Sequence, residues 1–401
     1  MELTREEQGM LAGDQGRATR KAIEILAALG TIFGADCLVP VSSVQIAGVS
    51  FDNLGDAGLD FLSEMAAGGG RVKTLTTLNP AGMDIENWQS MGIDPDFARD
   101  QQRVIEAYTK MGVIPTCSCT PYLFGNLPHY GEHIAWAESS AVCYANAVLG
   151  ARTNREGGPS ALASALTGKT PNYGLHLAEN RRPTLTVQVE ALLNNPSDFG
   201  ALGVVLGKQI ESSRVKVIPY LRGIPTASLE QLKSFCASVA TYGGLALFHL
   251  EGITPESALF PVPSETLVIT QQDLDEAARS LNGALSMANE VDFVSLGCPH
   301  LSLQEIARVA ELLDGKHVTK TVWITTARPT KRIADQMGYT AIIAASGAVL
   351  AADTCCVVAP IRSRFNAMAT DSAKACYYAA SRNGFKTRFL PFDDVIKEAL
   401  K

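Results

Sequence analysis

The hydrophobic pattern of this 401-residue chain alternates between two periods. Short apolar runs of strand length are separated by longer segments in which apolar residues recur every three or four positions, the spacing typical of an amphipathic helix. This alternation is typical of βαβ units, so the sequence predicts a multi-domain α/β fold with largely parallel sheets. The predicted strands span 38–50, 72–78, 113–119, 184–193, 215–221, 245–250, 267–270, 292–297, 320–326 and 348–358, and the predicted helices include 16–29, 57–67, 98–111 and 132–150.

The segment 252–265 interrupts this alternation, because it holds three prolines and few periodic apolar residues. A chain of this length usually forms more than one domain. We therefore predict an N-terminal α/β region over residues 1–258 and a C-terminal α/β region over residues 259–401.

Three cysteines, far apart in the chain, each follow an apolar run in a turn-like setting: Cys119, Cys298 and Cys355. Side chains at the carboxyl ends of strands point into the crevice where α/β sheets bind ligands. Three such thiolates can hold three corners of an iron–sulfur cluster and leave one iron open to substrate. The alternative is packing, since free cysteine is among the most buried residue types and often acts as a small hydrophobe.

A loop rich in amide, guanidinium and hydroxyl groups spans residues 151–160, between two predicted helices. Gly157 and Gly158 allow a ligand to approach the backbone closely, and the N–H groups at the start of the next helix favour an anion. Arg152 is a candidate to clamp a carboxylate, and Asn154 offers an amide. An ordinary solvated loop of turn-forming residues has the same composition.

The composition limits the classes of binding partner and the cellular compartment that we expect. The formal net charge is −7 and no run of basic residues occurs, which argues against nucleic acid and anionic membranes as partners. No stretch of 18 apolar residues is present, and the first residues lack the pattern of an export signal. Nine cysteines in such a chain indicate a reducing compartment, so we expect a soluble cytoplasmic protein.

Taken together, these motifs resemble the catalytic large subunit of the aconitase X family. The resemblance covers nearly the whole chain, and the block from 138 to 159 is its most specific part. The matching stretches are IAGVS at 46–50, GDAGL at 55–59, TLNPAGMD at 77–84, CTPY at 119–122, GEH at 131–133, ESSA at 138–141, GARTNREGGP at 150–159, TPNYG at 170–174, GCPH at 297–300 and DTC at 353–355.

The resemblance implies an aconitase-like fold with the active site between domains and an iron–sulfur cluster, with 4Fe-4S favoured. Its ligands would be Cys119, Cys298 and Cys355, although Cys117 and Cys356 are adjacent thiols that leave each neighbouring assignment open. We assign catalytic roles to Glu138, Ser139 and Arg152. The residues expected to bind substrate are Gly48, Val49, Ser50, Asn79, Pro80, Glu138, Ser139, Asn154 and Lys374, the last at a position where some relatives carry arginine.

Family members are dehydratases of small 3-hydroxy acids. The resemblance implies removal of water from (R)-5-phosphomevalonate to give trans-anhydromevalonate 5-phosphate, and the alternative substrate is cis-3-hydroxy-L-proline. The backbone N–H groups of the 46–50 turn are suited to a phosphate, which favours the first substrate. The resemblance implies a small swivelling domain that closes the site, and we expect it to lie outside this chain, in a separate small subunit carrying a serine base.

A non-catalytic protein is the remaining alternative, with structural zinc on the same three cysteines or with no metal. Structural zinc sites usually bring paired Cys-x₂₋₄-Cys motifs and four closed ligands. This chain has one Cys-x-Cys, at 117–119, and no second pair, which disfavours the zinc interpretation.

Overall fold

Four sheets organise the chain in a computed structural model that describes residues 1–211, 217–282 and 291–401. One sheet is a two-stranded antiparallel ribbon, and the other three have three, four and five strands. Every strand pairing recorded in the three larger sheets is parallel. The predicted α/β class with largely parallel sheets is therefore confirmed.

The N-terminal part contains the ribbon and the three-stranded sheet. The ribbon joins β1 (Leu38–Pro40) to β5 (Lys169–Pro171). The sheet has β2 (Ser43–Ile46) in the centre, flanked by β3 (Leu75–Leu78) and β4 (Ala135–Trp136). The helices of this part are α1 (Arg5–Ala12), α2 (Arg17–Ile32), α3 (Phe51–Ala67), α4 (Pro95–Lys110), α5 (Ser139–Tyr144) and α6 (Gly158–Thr167).

The middle part carries the four-stranded sheet, whose strands are β6 (Leu185–Val189), β7 (Pro219–Arg222), β8 (His249–Leu250) and β9 (Thr266–Ile269). They lie in the order β8-β7-β6-β9. Residue 258, the predicted end of the first region, lies between β8 and β9 of this sheet. The helices are α7 (Pro196–Glu211), α8 (Leu229–Tyr242) and α9 (Gln271–Ser280), and the first residues of the strand predicted at 215–221 lie outside the described residues.

The C-terminal part carries the five-stranded sheet. Its strands are β10 (Phe293–Leu301), β11 (Thr321–Thr326), β12 (Val349–Ala352), β13 (Ala367–Thr370) and β14 (Lys386–Phe389). They lie in the order β12-β11-β10-β13-β14. The helices are α10 (Leu303–Leu313), α11 (Arg328–Gln336), α12 (Tyr339–Ala345), α13 (Ala373–Tyr378) and α14 (Phe392–Ala399).

Two predicted elements beside the candidate site are wrong. The segment 113–119 is not a strand: Ile114 makes one isolated bridge to Thr77, and Cys117 has a φ of 44°, which ends the extended path. The segment 132–150 is not one helix, because the short strand β4 lies within it and α5 begins only at Ser139. Residues 134–147 are all buried, so their apolar pattern carries no period that separates a strand from a helix.

The N-terminal and C-terminal sheets meet at the carboxyl ends of their strands. The loop after β3 donates Ala81 N–H to the Asp353 carbonyl after β12, at 2.8 Å. The start of α5, after β4, contacts the start of α13, after β13, through an ion pair between Glu138 and Lys374. Loops that follow parallel strands in two sheets thus enclose one region, where α/β folds place their sites.

In the described ranges, none of the helices combines the length and the apolar character needed to cross a bilayer.

Candidate active site

The three predicted cysteine ligands lie in irregular backbone. Cys119 follows the segment that runs beside β3. Cys298 lies where the register between β10 and β11 shifts, next to Gly297, whose φ is 110° and where a Cβ would collide with the Thr325 carbonyl. Cys355 follows β12 after Asp353, a non-glycine residue with a φ of 67°. Positive φ at Gly297 and at Asp353 turns the chain away from the strand shortly before Cys298 and Cys355.

The structure brings these three thiols together. Burial raises the pKa of Cys119 and of Cys298 to about 12, and it raises the pKa of Cys355 as well. Each pKa is raised further by another member of the set: that of Cys119 by Cys298, that of Cys298 by Cys355, and that of Cys355 by Cys119. All three pairs are therefore close enough for ionised sulfurs to repel one another.

The two neighbouring thiols have other surroundings. Burial raises the pKa of Cys117, and the charged groups that affect it are Asp353 and Arg328 rather than the three cysteines. Burial also raises the pKa of Cys356 to about 12, Cys298 raises it further, and a hydrogen bond with Ser295 lowers it. These surroundings favour Cys119 over Cys117 as a cluster ligand. Cys356 is instead hydrogen-bonded to Ser295 of β10.

The donor set fits an iron–sulfur cluster better than a single ion. Ionising three adjacent buried thiols is unfavourable unless a metal supplies compensating positive charge. The backbone N–H of His300 donates to Cys119 Sγ at 3.3 Å, the kind of hydrogen bond that tunes cluster sulfurs. Over the described ranges, no three His, Cys, Asp or Glu side chains converge on one ion. Cluster ligands bind different irons, which sulfide bridges separate, so their sulfurs need not converge.

A buried ion pair lies beside the cysteines. Lys374 Nζ is 2.5 Å from Glu138 Oε1 and donates to Ser139 Oγ at 3.4 Å. The other carboxylate oxygen, Glu138 Oε2, accepts from Ser140 Oγ and from Ala141 N–H, both at 2.6 Å, and so caps α5. Three of the predicted substrate residues, from segments far apart in the sequence, therefore form one polar cluster.

This cluster is electrostatically coupled to the thiols. Burial alone would raise the pKa of Glu138, but the Lys374 ammonium and the hydrogen bonds to the carboxylate outweigh it, so the pKa lies below its ordinary value. Burial would lower the pKa of Lys374, but Glu138, Cys298 and Cys119 raise it above its ordinary value. Both groups are therefore charged at neutral pH, and the cation lies within the field of two of the sulfurs.

The turn at 48–50 offers backbone donors at the start of α3. Gly48 has a φ of 79°, and a Cβ there would meet nothing within 4 Å. In the described part of the chain, the N–H groups of Gly48, Val49 and Ser50 have no protein acceptor. Gln101 braces the turn, since its Nε2 donates to the Val49 carbonyl at 3.0 Å. Open space beside free N–H groups at a helix start favours an anion.

The Asn79-Pro80 turn follows β3 and adds a polar atom. Asn79 N–H donates to the Ile46 carbonyl at 2.8 Å, which fixes the turn against the end of β2. The side-chain oxygen Asn79 Oδ1 is buried and has no partner among the described residues. A buried amide oxygen without a donor costs free energy unless a ligand or water supplies one. Pro80 is buried beside it.

Substitutions in the 48–50 turn are predicted to differ in effect. Gly48→Val places a β-branched side chain at positive φ, which costs about 1–2 kcal/mol of backbone strain and displaces the N–H groups. Because about 1.4 kcal/mol is tenfold in affinity, we expect KM to rise roughly tenfold or more. Ser50→Ala removes one hydrogen bond, from Ser50 Oγ to the Val358 carbonyl at 2.9 Å, so stability falls by about 1 kcal/mol and KM changes little.

Steady-state kinetics and urea unfolding of both variants measure these effects. The control is Gly34→Val, because Gly34 also has a positive φ (68°), is exposed and leaves open space at its Cβ. It imposes the same strain at the end of α2 and should leave KM unchanged. An equal rise in KM for Gly34→Val and Gly48→Val would contradict an anion site at the turn.

Two predicted residues make hydrogen bonds to a different part of the chain. Arg152 Nη1 donates to the His176 carbonyl at 3.2 Å. Asn154 uses both ends of its amide to hold the loop 173–175, donating to the Tyr173 carbonyl and accepting from Leu175 N–H, each at 2.9 Å. In the ranges that the structure describes, no recorded hydrogen bond or ion pair joins either residue to Glu138, Ser139 or Lys374.

Arg328 is a residue of the site region that the sequence analysis missed. It forms an ion pair with Asp84 at 2.6 Å and another with Asp353. Asp84 Oδ2 also accepts from Ala352 N–H at 2.8 Å, so this network ties the loop after β3 to the loop that carries Cys355. Asp84 and Asp353 lie within matching motifs, but no local pattern indicates that an arginine at the start of α11 lies between them.

Three family models match the chain in succession: Aconitase X first domain over residues 1–179, Aconitase X second domain over 183–279 and Aconitase X third domain over 291–401. The chain belongs to the aconitase X family. The predicted resemblance is thereby confirmed. The large subunit of phosphomevalonate dehydratase from Methanothermobacter thermautotrophicus is 45% identical over 385 residues, which cover 95% of this chain and 94% of that protein.

A solved aconitase X structure has the same fold. The crystal structure of the holo-form from Thermococcus kodakaraensis matches with a TM-score of 0.92 and 44% identity, and the match covers 100% of both chains. A cis-3-hydroxy-L-proline dehydratase from Hypocrea jecorina is 34% identical, and the match covers 97% of this chain but 67% of that longer protein. Within the aconitase X family, this chain therefore resembles the phosphomevalonate dehydratase subunit more closely in sequence and in length.

Proposed function

We propose that this chain is the large, catalytic subunit of a phosphomevalonate dehydratase, which removes water from (R)-5-phosphomevalonate to give trans-anhydromevalonate 5-phosphate. The observation that carries the proposal is that three thiols from separate loops lie near enough to affect one another's pKa, beside the buried pair of Glu138 and Lys374. The 45% identity to a relative of that name, at nearly equal length, supports the choice of substrate. The reaction would belong to a mevalonate route of isoprenoid biosynthesis.

Cys119, Cys298 and Cys355 would hold an iron–sulfur cluster, of 4Fe-4S type, with one iron open to substrate. When bound, the open iron supplies Lewis acidity that stabilises negative charge on oxygen and makes the substrate hydroxyl a better leaving group. Three thiolates suit this chemistry, because a fourth would close the coordination site. The reaction requires no change of redox state.

The side chains of this chain bind and orient the substrate. The Lys374 ammonium would pair with the substrate carboxylate, and Ser139, whose hydroxyl accepts from Lys374, would add a second polar group. Asn79 Oδ1, which lacks a donor, is suited to accept from the substrate hydroxyl. The free N–H groups of the Gly48 turn would bind the phosphate. Binding energy from the remote phosphate holds the reacting carbons in place, which favours the transition state.

Removal of the proton at C2 requires a base, and among the described residues the Glu138 carboxylate is not free for this role, because it is engaged with Lys374, Ser140 and Ala141. We infer that a separate small subunit provides the base, a serine, and closes the site against water. The name "large subunit" of the relatives implies a smaller partner. The nine free cysteines, with no disulfide in the described ranges, suit a reducing cytoplasm.

The test is a steady-state assay of protein purified without oxygen, with and without the small subunit. We expect a visible absorption band from bound iron and sulfide, turnover of (R)-5-phosphomevalonate by the pair, and little turnover by the large subunit alone. Preference for cis-3-hydroxy-L-proline would overturn the substrate assignment. A colourless protein that binds zinc, or binds no metal, would overturn the dehydratase mechanism.

A further inference from the structure

His300 contacts all three cysteine loops. It lies two residues after Cys298 and is fully buried. Its Nδ1 is 3.0 Å from Ser118 Oγ, in the loop of Cys119, and its Nε2 is 2.9 Å from the Thr354 carbonyl, in the loop of Cys355. Its backbone N–H donates to Cys119 Sγ at 3.3 Å. One residue thus links three segments that are remote in sequence.

The partners of the imidazole fix its tautomer. A backbone carbonyl can only accept, so Nε2 must carry the proton and donate to Thr354 O. Nδ1 is then the acceptor, and Ser118 Oγ donates to it. Ser118 Oγ in turn accepts from Thr120 N–H at 3.2 Å, one residue beyond Cys119. The ring therefore acts as a neutral donor–acceptor bridge of fixed direction, from the Cys119 loop to the Cys355 loop.

The bridge is also held from the middle part of the chain. Lys233, on α8, donates to the His300 carbonyl at 3.0 Å and forms an ion pair with Glu305 at the start of α10. The Lys233 side chain is almost fully buried. The backbone of His300 is therefore held at both polar groups, because its carbonyl accepts from Lys233 and its N–H donates to Cys119 Sγ.

We propose that His300 is a positioning residue that holds the three cysteine loops at the separation required by the cluster. The proposal rests on the proposed function, since it takes Cys119, Cys298 and Cys355 as the ligands. Groups that orient metal ligands typically change metal affinity on the order of 10- to 100-fold when they are lost. No natural substitute reproduces both arms of the imidazole: glutamine can donate at the Nε2 position, and asparagine can reach only the Nδ1 partner.

The test compares the loss of iron to a ferrous chelator in His300→Leu, His300→Gln and wild-type protein, all purified without oxygen. We expect iron loss from His300→Leu to be faster by on the order of 10- to 100-fold, with a changed absorption spectrum. His300→Gln keeps the donor to Thr354 and should give an intermediate rate. The melting temperature of each cluster-free protein separates loop positioning from general loss of stability.

The matched control is His249→Leu. His249 is also buried and bonds a backbone carbonyl, that of Arg181 at 2.8 Å, but it lies on β8 in the middle sheet. It should lower the melting temperature and leave the rate of iron loss unchanged. If His300→Leu fails to fold, the variants His300→Gln and Ser118→Ala test the proposal instead. Iron loss that is faster than in the wild type in both variants supports it. Wild-type rates in these variants would overturn it, whereas a wild-type protein without iron would instead overturn the proposed function.

Discussion

Cys298→Ser is expected to leave the chain folded but without bound iron and without dehydratase activity. Serine keeps the size of the side chain, but its hydroxyl does not ionise at neutral pH and is a poor ligand for iron. The thiol is already difficult to ionise, because burial raises the pKa of Cys298 to about 12, so metal must compensate for its charge. Iron and sulfide analysis, the visible spectrum and turnover with the small subunit measure the result.

Cys356→Ser is the sharpest control for this prediction. Cys356 neighbours Cys355 and is equally buried, but it hydrogen-bonds Ser295, so its loss should leave the iron content unchanged. Cys236→Ser, on α8, is a second control, because that thiol pairs with Cys143. Full iron content in Cys298→Ser would show the ligand assignment to be wrong. Loss of iron from Cys356→Ser with retention in Cys355→Ser would move the ligand by one position.

The cysteine turns could be predicted because their signal is local. An apolar run that ends in a cysteine near proline or glycine indicates a strand end, and Cys298 at the irregular end of β10 agrees with that. The choice between Cys117 and Cys119 as the cluster ligand cannot be made from the local sequence. It depends on the φ of 44° at Cys117, which turns its side chain towards Asp353 and Arg328, groups that come from the far end of the chain.

The polar residues of the site also could not be placed from local sequence alone. Residues 134–147 form a continuous buried run, and such a run does not reveal that β4 ends and Glu138 caps a new helix. The composition of the 151–160 loop predicts a substrate site, whereas the Asn154 side-chain amide forms hydrogen bonds with the loop 173–175. The composition shows which groups are available, whereas tertiary contacts decide which of them remain free for a ligand.

Lys374→Met is expected to cost both stability and turnover. The side chains of Glu138 and Lys374 are only 5% and 10% exposed, so the variant leaves a buried carboxylate without its cation. Breaking one side of a buried pair typically costs about 3–5 kcal/mol in the free energy of unfolding. Because the ammonium would also bind the substrate carboxylate, we expect turnover to fall by on the order of 10²-fold or more. Urea unfolding and kinetics at pH 7.5 measure both effects.

The pH dependence of this loss follows from the pKa shifts. In the wild type, burial raises the pKa of Glu138, but Lys374 and the hydrogen bonds to the carboxylate together outweigh burial, so the pKa of Glu138 lies below its ordinary value of 4.5. The ionised Glu138 therefore stabilises the fold above pH 4.5, and this stabilisation is lost as pH falls through the lower pKa of the folded state. The pKa of Lys374 is above 10.5, so its contribution is present below pH 10.5 and lost as pH rises through the folded value. The pair therefore stabilises the fold throughout the neutral range.

In Lys374→Met the cation that offsets burial is lost, and only the hydrogen bonds from Ser140 and Ala141 still lower the pKa of Glu138. That pKa therefore rises relative to the wild type, and the destabilisation should shrink as pH falls. Lys374→Arg keeps the charge and should retain most of the stability. The double variant Glu138→Gln with Lys374→Met removes both charges; it should recover stability but not turnover, because the substrate still lacks its cation. Recovery of turnover in that double variant would show that Lys374 serves only to neutralise Glu138.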